Sequence, residues 1–392
     1  MKPLLLFMAL LPSALAATPP LITNTTDRND YTVQYDVRLT TSRDANALDF
    51  EINHADVYFP VVESTGSSTG NLQSAFIQFW WRQKIWTEAY TLLPAKPGFG
   101  RYGKLEFQQS KNVFRGGGLP AQDQSVSRDI RILYGFSQVC RETVFDEKRA
   151  LQIPWPAAFP PELEAWTHPE PMIQSTHPEV VKLVNEWTKG NPRAVGGPVL
   201  LAKELCGRVV EHVMPTAPSY RYNTKGRIAG LDVQGAAYAA VEGGGSCFDM
   251  AALLVAVYRA AGIPSRLVVG LDVEEMNTVG YPVFLAWVEF ALFDPADNKT
   301  EWIPVDVVRQ RAFSSRPPPI RQTWEYFGNN RYLDTAFPLA FAFHPPDQAV
   351  GATGIVAYGA HALWGWVPSP LIAELDQRLI ISVIGTPQRG GR

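Results

Sequence analysis

Cysteine is scarce, and neither sign of charge dominates. The 392 residues contain three cysteines, Cys140, Cys206 and Cys247. An odd, small number excludes a disulfide scaffold and leaves at least one thiol without a partner in the chain. Either Cys140 pairs with Cys206 and Cys247 is free, or all three are reduced and buried. Lys and Arg number 35 against 38 Asp and Glu, a net charge of -3, so the electrostatic basis for a nucleic-acid partner is missing. Only 19% of residues are charged and 46% are apolar, which argues against disorder. Long apolar runs are also lacking. Ala349 to Val367 has no Asp, Glu, Lys or Arg, but four glycines and His361 interrupt it, so no integral membrane span is expected. Cys and His show no zinc-type spacing. Gly243-Gly244-Gly245 lacks the Lys-Ser/Thr that completes a phosphate loop, so neither a metal nor a cofactor is expected.

What the chain does have is turn-forming residues and aromatics: 32 prolines, 30 glycines and 11 tryptophans. These favour many short strands over a helical bundle. At the N-terminus, Lys2, the apolar stretch Leu4 to Leu11 and the small-residue site Ala14-Leu15-Ala16 read as a cleaved export signal over residues 1–16. The expectation is a secreted or periplasmic protein. Asn24-Thr25-Thr26 and Asn298-Lys299-Thr300 fit glycosylation sequons, relevant only in a eukaryotic secretory host.

Residues 17–150 read as a β domain. Tyr31 to Leu39 alternates apolar and polar residues, and Phe76 to Trp81 and Ile130 to Tyr134 are further strands, separated by Gly/Ser clusters. An antiparallel sandwich-like fold is expected. Trp80, Trp81 and Trp86 suit strand packing better than a sugar-stacking platform. Residues 151–177 form a Pro-rich linker, with Pro154, Pro156, Pro160 and Pro161 blocking ladder and helix alike. Helices follow at Glu179 to Lys189 and Pro198 to Val213. A third, Met250 to Ala261, is preceded by Ser246 as N-cap and Asp249 three residues on. Strands follow over Arg266–Val273, Val283–Leu292 and Glu301–Asp306.

Cys247 thus falls on the first turn of a helix. There the backbone dipole and unpaired N–H groups favour a thiolate, the nucleophilic form of cysteine, and the preceding glycines allow a substrate backbone to come close. A buried structural cysteine is the plain alternative.

Three segments carry a resemblance to the transglutaminase-like superfamily, whose core has a papain-like arrangement. They are Gly245-Ser246-Cys247-Phe248-Asp249 with its helix through Arg259-Ala260-Ala261-Gly262-Ile263-Pro264-Ser265-Arg266; Ala286-Trp287-Val288-Glu289; and Trp302-Ile303-Pro304-Val305-Asp306. Tyr326-Phe327-Gly328-Asn329 and Arg331 resemble the region downstream of the core in bacterial members. The resemblance implies an α+β fold: a papain-like or transglutaminase-like core over 178–315, with a helix-borne Cys packed on an antiparallel sheet, preceded by the all-β sandwich-like domain. Residues 316–392 are left as a C-terminal extension. It also implies a Cys nucleophile, a His base and an Asp that orients the His. Cys247 matches the nucleophile and Asp306 the acid. Gly245, Ser246, Trp287 and Glu289 become substrate-groove candidates.

The pattern breaks at Leu285, which stands directly before Ala-Trp-x-Glu where the family places the His. Leucine cannot take a proton from the thiol or give one to a leaving amine. Losing the base of a triad costs roughly four to six orders of magnitude in turnover, about 5–8 kcal/mol. The helix dipole supplies only about 1 kcal/mol. Two readings follow. In the first, the chain is a His-less pseudoenzyme that binds a protein or cell-envelope peptide. In the second, it is a cysteine-dependent amide hydrolase or acyl transferase of protease or transglutaminase type, drawing its base from His212, His344 or His361.

Overall fold

The computed structural model describes residues 19–41, 51–52, 54–81, 84–86, 91–96, 100–108, 114–115, 130–216, 220–222, 228–343, 365–369 and 375–387. The signal-like segment 1–16, His344, His361 and most of the Ala349 to Val367 stretch lie outside them. The last part of that stretch, Gly365 to Val367, belongs to a strand. Among the described residues no helix is long and apolar enough to cross a membrane.

The strand-rich region contains β1 (Leu21–Thr41), β2 (His54–Val61), β3 (Ser68–Trp81), β4 (Lys84–Trp86), β5 (Thr91–Lys96), β6 (Gly100–Gln108) and β7 (Ile130–Phe145). The alternation in Tyr31 to Leu39 has its physical counterpart here. Tyr31, Val33, Tyr35 and Val37 are buried, and the intervening residues face outward or into polar contacts. The rings of Tyr35, Phe59 and Tyr134 pack together, with Phe59 stacked on Tyr134 at 4.3 Å.

After the short helix α1 (Glu147–Ala150), the Pro-rich segment is not a bare tether. Leu163, Ile173 and Glu170 are buried, and Arg259 reaches the His168 carbonyl at 2.7 Å. The helices are α2 (Pro178–Thr188), α3 (Pro198–His212), α4 (Ala236–Glu242) and α5 (Cys247–Ala260). A sheet of β8 (Ser265–Asp272), β9 (Phe284–Asp294), β10 (Lys299–Val305) and β11 (Ala336–Ala340) follows. It is antiparallel in the order β10-β9-β8-β11. Two more short helices interrupt it, α6 (Val273–Val279) and α7 (Val307–Phe313). α5 is apolar on nearly every side, and its residues from Cys247 to Arg259 are all buried, as expected of a helix enclosed between other helices and a sheet. The whole is α+β, with a helix-borne cysteine packed on an antiparallel sheet.

The C-terminal strands β12 (Gly365–Ser369) and β13 (Leu375–Pro387) return to the N-terminal region. β13 pairs with β1, giving a sheet ordered β13-β1-β7-β3-β4, and β12 pairs with β2 in a sheet ordered β12-β2-β6-β5. The Tyr326 to Arg331 segment laces the two halves. Asn329 accepts the Phe145 N–H at 2.9 Å, and Asn330 exchanges backbone bonds with Thr143. Gly328, at φ +73°, sits against Phe145 so closely that a Cβ would lie 2.5 Å from that side chain.

Candidate active site

The entry to α5 is built around one carboxylate. Ser246 Oγ accepts the Asp249 N–H at 3.2 Å. Asp249 Oδ2 in turn accepts the Ser246 N–H and hydroxyl, each at 2.8 Å. This is a reciprocal capping box. The other oxygen, Oδ1, accepts the N–H groups of Gln234 and Gly235, each at 2.7 Å. Gly245 has φ +139°, and a Cβ there would come within 2.9 Å of the Asp249 Cβ. Its missing side chain therefore makes room for the cap. The parallel pairing of Met214-Pro215 with Gly244-Gly245 fixes the same turn from the other side.

Cys247 opens onto a cavity of about 520 Å³. Leu285 and Asp306 line it too, so the structure brings together the three positions that the resemblance pairs with nucleophile, base and orienting acid. Phe284, Val308, Ala312 and Met214 supply further apolar wall, and Met214 is 69% exposed. Among the described residues no histidine lines the cavity. His212 ends α3 with Nε2 3.0 Å from the Ala240 carbonyl and its ring edge-on to Trp187. His177 caps α2, taking the Glu179 N–H at 3.4 Å.

The thiol is neutral here. Burial pushes its pKa up to about 12, and the Asp306 and Asp249 carboxylates add to the rise. The Phe248 and Cys247 N–H groups pull the other way, as a helix start should, and lose. The helix terminus alone does not activate Cys247: desolvation of the buried thiol and the two nearby carboxylates outweigh the helix-start N–H groups.

Asp306 is fully engaged without a histidine. It is the N-cap of α7, accepting the Arg309 N–H at 2.8 Å, and it takes the Tyr332 hydroxyl on Oδ2. The Arg309 guanidinium lies over the Tyr332 ring at 3.9 Å and bridges Asp306, at 3.6 Å, to Asp272, at 3.1 Å. Burial raises the Asp306 pKa, opposed by these partners. Sequence reasoning missed Tyr332, Arg309 and Asp272. The i,i+3 spacing of Asp306 and Arg309 offered a signal for one of them. Tyr332, 26 positions from its partner, offered none.

The remaining groove candidates are placed elsewhere. Gly245 and Ser246 form the cap, and neither lines the cavity. Trp287 is completely buried, its ring filling the space beside Gly270. Glu289 is also completely buried; its Oε2 takes Arg266 Nη2 at 2.7 Å and its Oε1 takes the Gly66 N–H, also at 2.7 Å. A groove role fails for both because a fully buried side chain offers a ligand no surface. All three cysteines are free and buried, so Cys140 and Cys206 do not bridge. Among the described residues no cluster of His, Cys, Asp and Glu could hold a metal.

The model of the transglutaminase-like superfamily matches residues 204–307. No curated protein is significantly similar in sequence. Among solved structures, the chain is similar to a candidate cysteine protease from Cytophaga hutchinsonii, with 14% identity, a TM-score of 0.51, and coverage of 94% of this chain and 95% of that one. At that identity the likeness concerns the fold. The periplasmic domain of TgpA from Pseudomonas aeruginosa, solved with ethylmercury, aligns at 16% identity over 65% of this chain and 89% of that one, with a TM-score of only 0.27. A helix-borne Cys247 on an antiparallel sheet, Asp306 facing the same cavity and the match over 204–307 agree: the chain carries a domain of the transglutaminase-like superfamily.

Proposed function

We propose that this protein is an exported pseudoenzyme that uses its transglutaminase-like domain to bind a protein or cell-envelope peptide without cleaving or transferring an amide. The observation that carries this reading is Leu285 in the wall of the Cys247 cavity. Acyl transfer needs a group that removes the thiol proton and later protonates the leaving nitrogen, and leucine does neither. The cavity, mostly apolar and rimmed by the exposed Met214, suits an aliphatic side chain presented by an extended peptide. The charge balance favours no nucleic acid, and the signal-like N-terminus favours a secreted or periplasmic site of action.

The test uses the purified full chain. Hydrolysis of an activated peptide ester is expected to be no faster than with Cys247→Ala, while peptidoglycan stem peptides or other envelope peptides bind and are displaced by Leu285→Trp, which fills the cavity. Hydrolysis that requires Cys247 overturns the proposal. If that activity also falls in His344→Ala or His361→Ala, the base has been recruited from the C-terminal segment.

A further inference from the structure

Away from the cavity, Lys203 of α3 is completely buried with its ammonium against one carboxylate, that of Glu147 at the start of α1. The two residues are 56 positions apart. Lys203 Nζ also contacts the Gln322 carbonyl, and the rings of Trp324 and Phe327 stand over it at 5.3 and 5.6 Å. Both rings are themselves buried. The second carboxylate oxygen, Glu147 Oε2, is buried with no hydrogen-bond donor. An ion pair in such a place carries a large desolvation cost, and the orphaned oxygen leaves part of it uncompensated.

We propose that Lys203 and Glu147 condense to an isopeptide bond in the folded protein. The ammonium passes one proton to the carboxylate it touches, giving an amine and a carboxylic acid. The Nζ lone pair attacks Cδ of Glu147, a C–N bond forms, one C–O bond breaks, and the oxygen leaves as water with the carboxyl proton and one amine proton. No oxidant, reductant or co-reactant is consumed. The remaining N–H points to the Gln322 carbonyl, which already receives Lys203. Two buried charges disappear together, and the orphaned Oε2 remains only as a neutral amide carbonyl oxygen. Burial pushes the Lys203 pKa down, which favours the amine. The aromatic rings keep water from reversing the step. The product staples the end of the strand-rich region to the helical core, a role that the three free cysteines do not fill.

The experiment is peptide mapping of the natively purified full chain by mass spectrometry. The expected result is a branched peptide joining the Glu147 and Lys203 segments, lighter than their sum by one water, with trypsin failing to cut after Lys203. Lys203→Arg and Glu147→Ala lose the branched species. The wild-type map decides the matter even if either variant folds poorly: linear peptides with unmodified Lys203 and Glu147 in full yield overturn the proposal. This outcome is independent of whether Cys247 is catalytic.

Discussion

Leu285 and Glu289 lie on one strand with the same side-chain phase, yet the two ends of that stretch differ completely. At Glu289 every partner is in place: Arg266 between the Trp302 ring at 3.9 Å and the Phe341 ring at 4.2 Å, the Gly66 N–H on the carboxylate, and the Arg266 bond to the Ser64 carbonyl. At Leu285 the wall faces a cavity lined by no histidine among the described residues. The buried ion pair behind Glu289 is complete, whereas the cavity wall at Leu285 is hydrocarbon. The comparison teaches that a structural ion pair and a catalytic constellation on the same strand are separable, since they rest on different neighbours.

Breaking the intact end gives the largest effect. Glu289→Ala leaves Arg266 buried and uncompensated, and we expect a loss of about 3–5 kcal/mol in urea unfolding. The double change Glu289→Leu with Arg266→Met is expected to be much milder, because no charge is stranded. A double variant as unstable as the single one contradicts this account. Next in size, Asp249→Asn removes the charge that four donors share and costs about 2–3 kcal/mol by thermal unfolding. An unchanged melting temperature would show that the cap at Cys247 is not what fixes the helix start.

The deficient end is sharpened by restoring the base. In Leu285→His a protonated imidazole facing the thiol lowers the Cys247 pKa by about 1–3 units. Alkylation at neutral pH then rises about tenfold or more over the wild type. No change would mean that Leu285 does not occupy the base position.

The smallest effect concerns a carboxylate outside the site. Asp334, half-buried near Glu142 and Glu274, has its pKa raised by burial from 3.8 to about 6. A raised folded-state value means that the folded chain holds the proton more tightly than the unfolded one. Stability therefore increases as pH falls from about 6 towards 4, and the ionised group is unfavourable above that window. Allowing for solvent screening, Asp334→Asn is expected to add about 1 kcal/mol at pH 8 and almost nothing at pH 4. A pH-independent difference contradicts the assignment.

How much of this was legible in the sequence depended on distance along the chain. The Ser246 cap, the Asp249 partner and the Cys247 helix rest on neighbours three residues apart, and local spacing exposes them. The alternation in β1 and the meander of β8 to β10 are equally local signals. The C-terminal segment was opaque because its strands pair with β1 and β2, hundreds of positions away, and no local pattern encodes that return. Glu289 was misread for the same reason. Its backbone donor Gly66 is 223 positions away, and a carboxylate next to a motif looks accessible until its burial is known. Leu285 was the reverse case: a single departure from an otherwise matched pattern was visible in sequence, and only the cavity gave it a chemical setting.

The most direct measurement is the pH dependence of Cys247 alkylation by iodoacetamide in the wild-type protein, followed by mass spectrometry. The account predicts slow labelling at neutral pH, rising only as the thiol approaches its elevated pKa of about 12 or as the protein unfolds. Rapid labelling of the folded protein with a midpoint below that of a free thiol would contradict it.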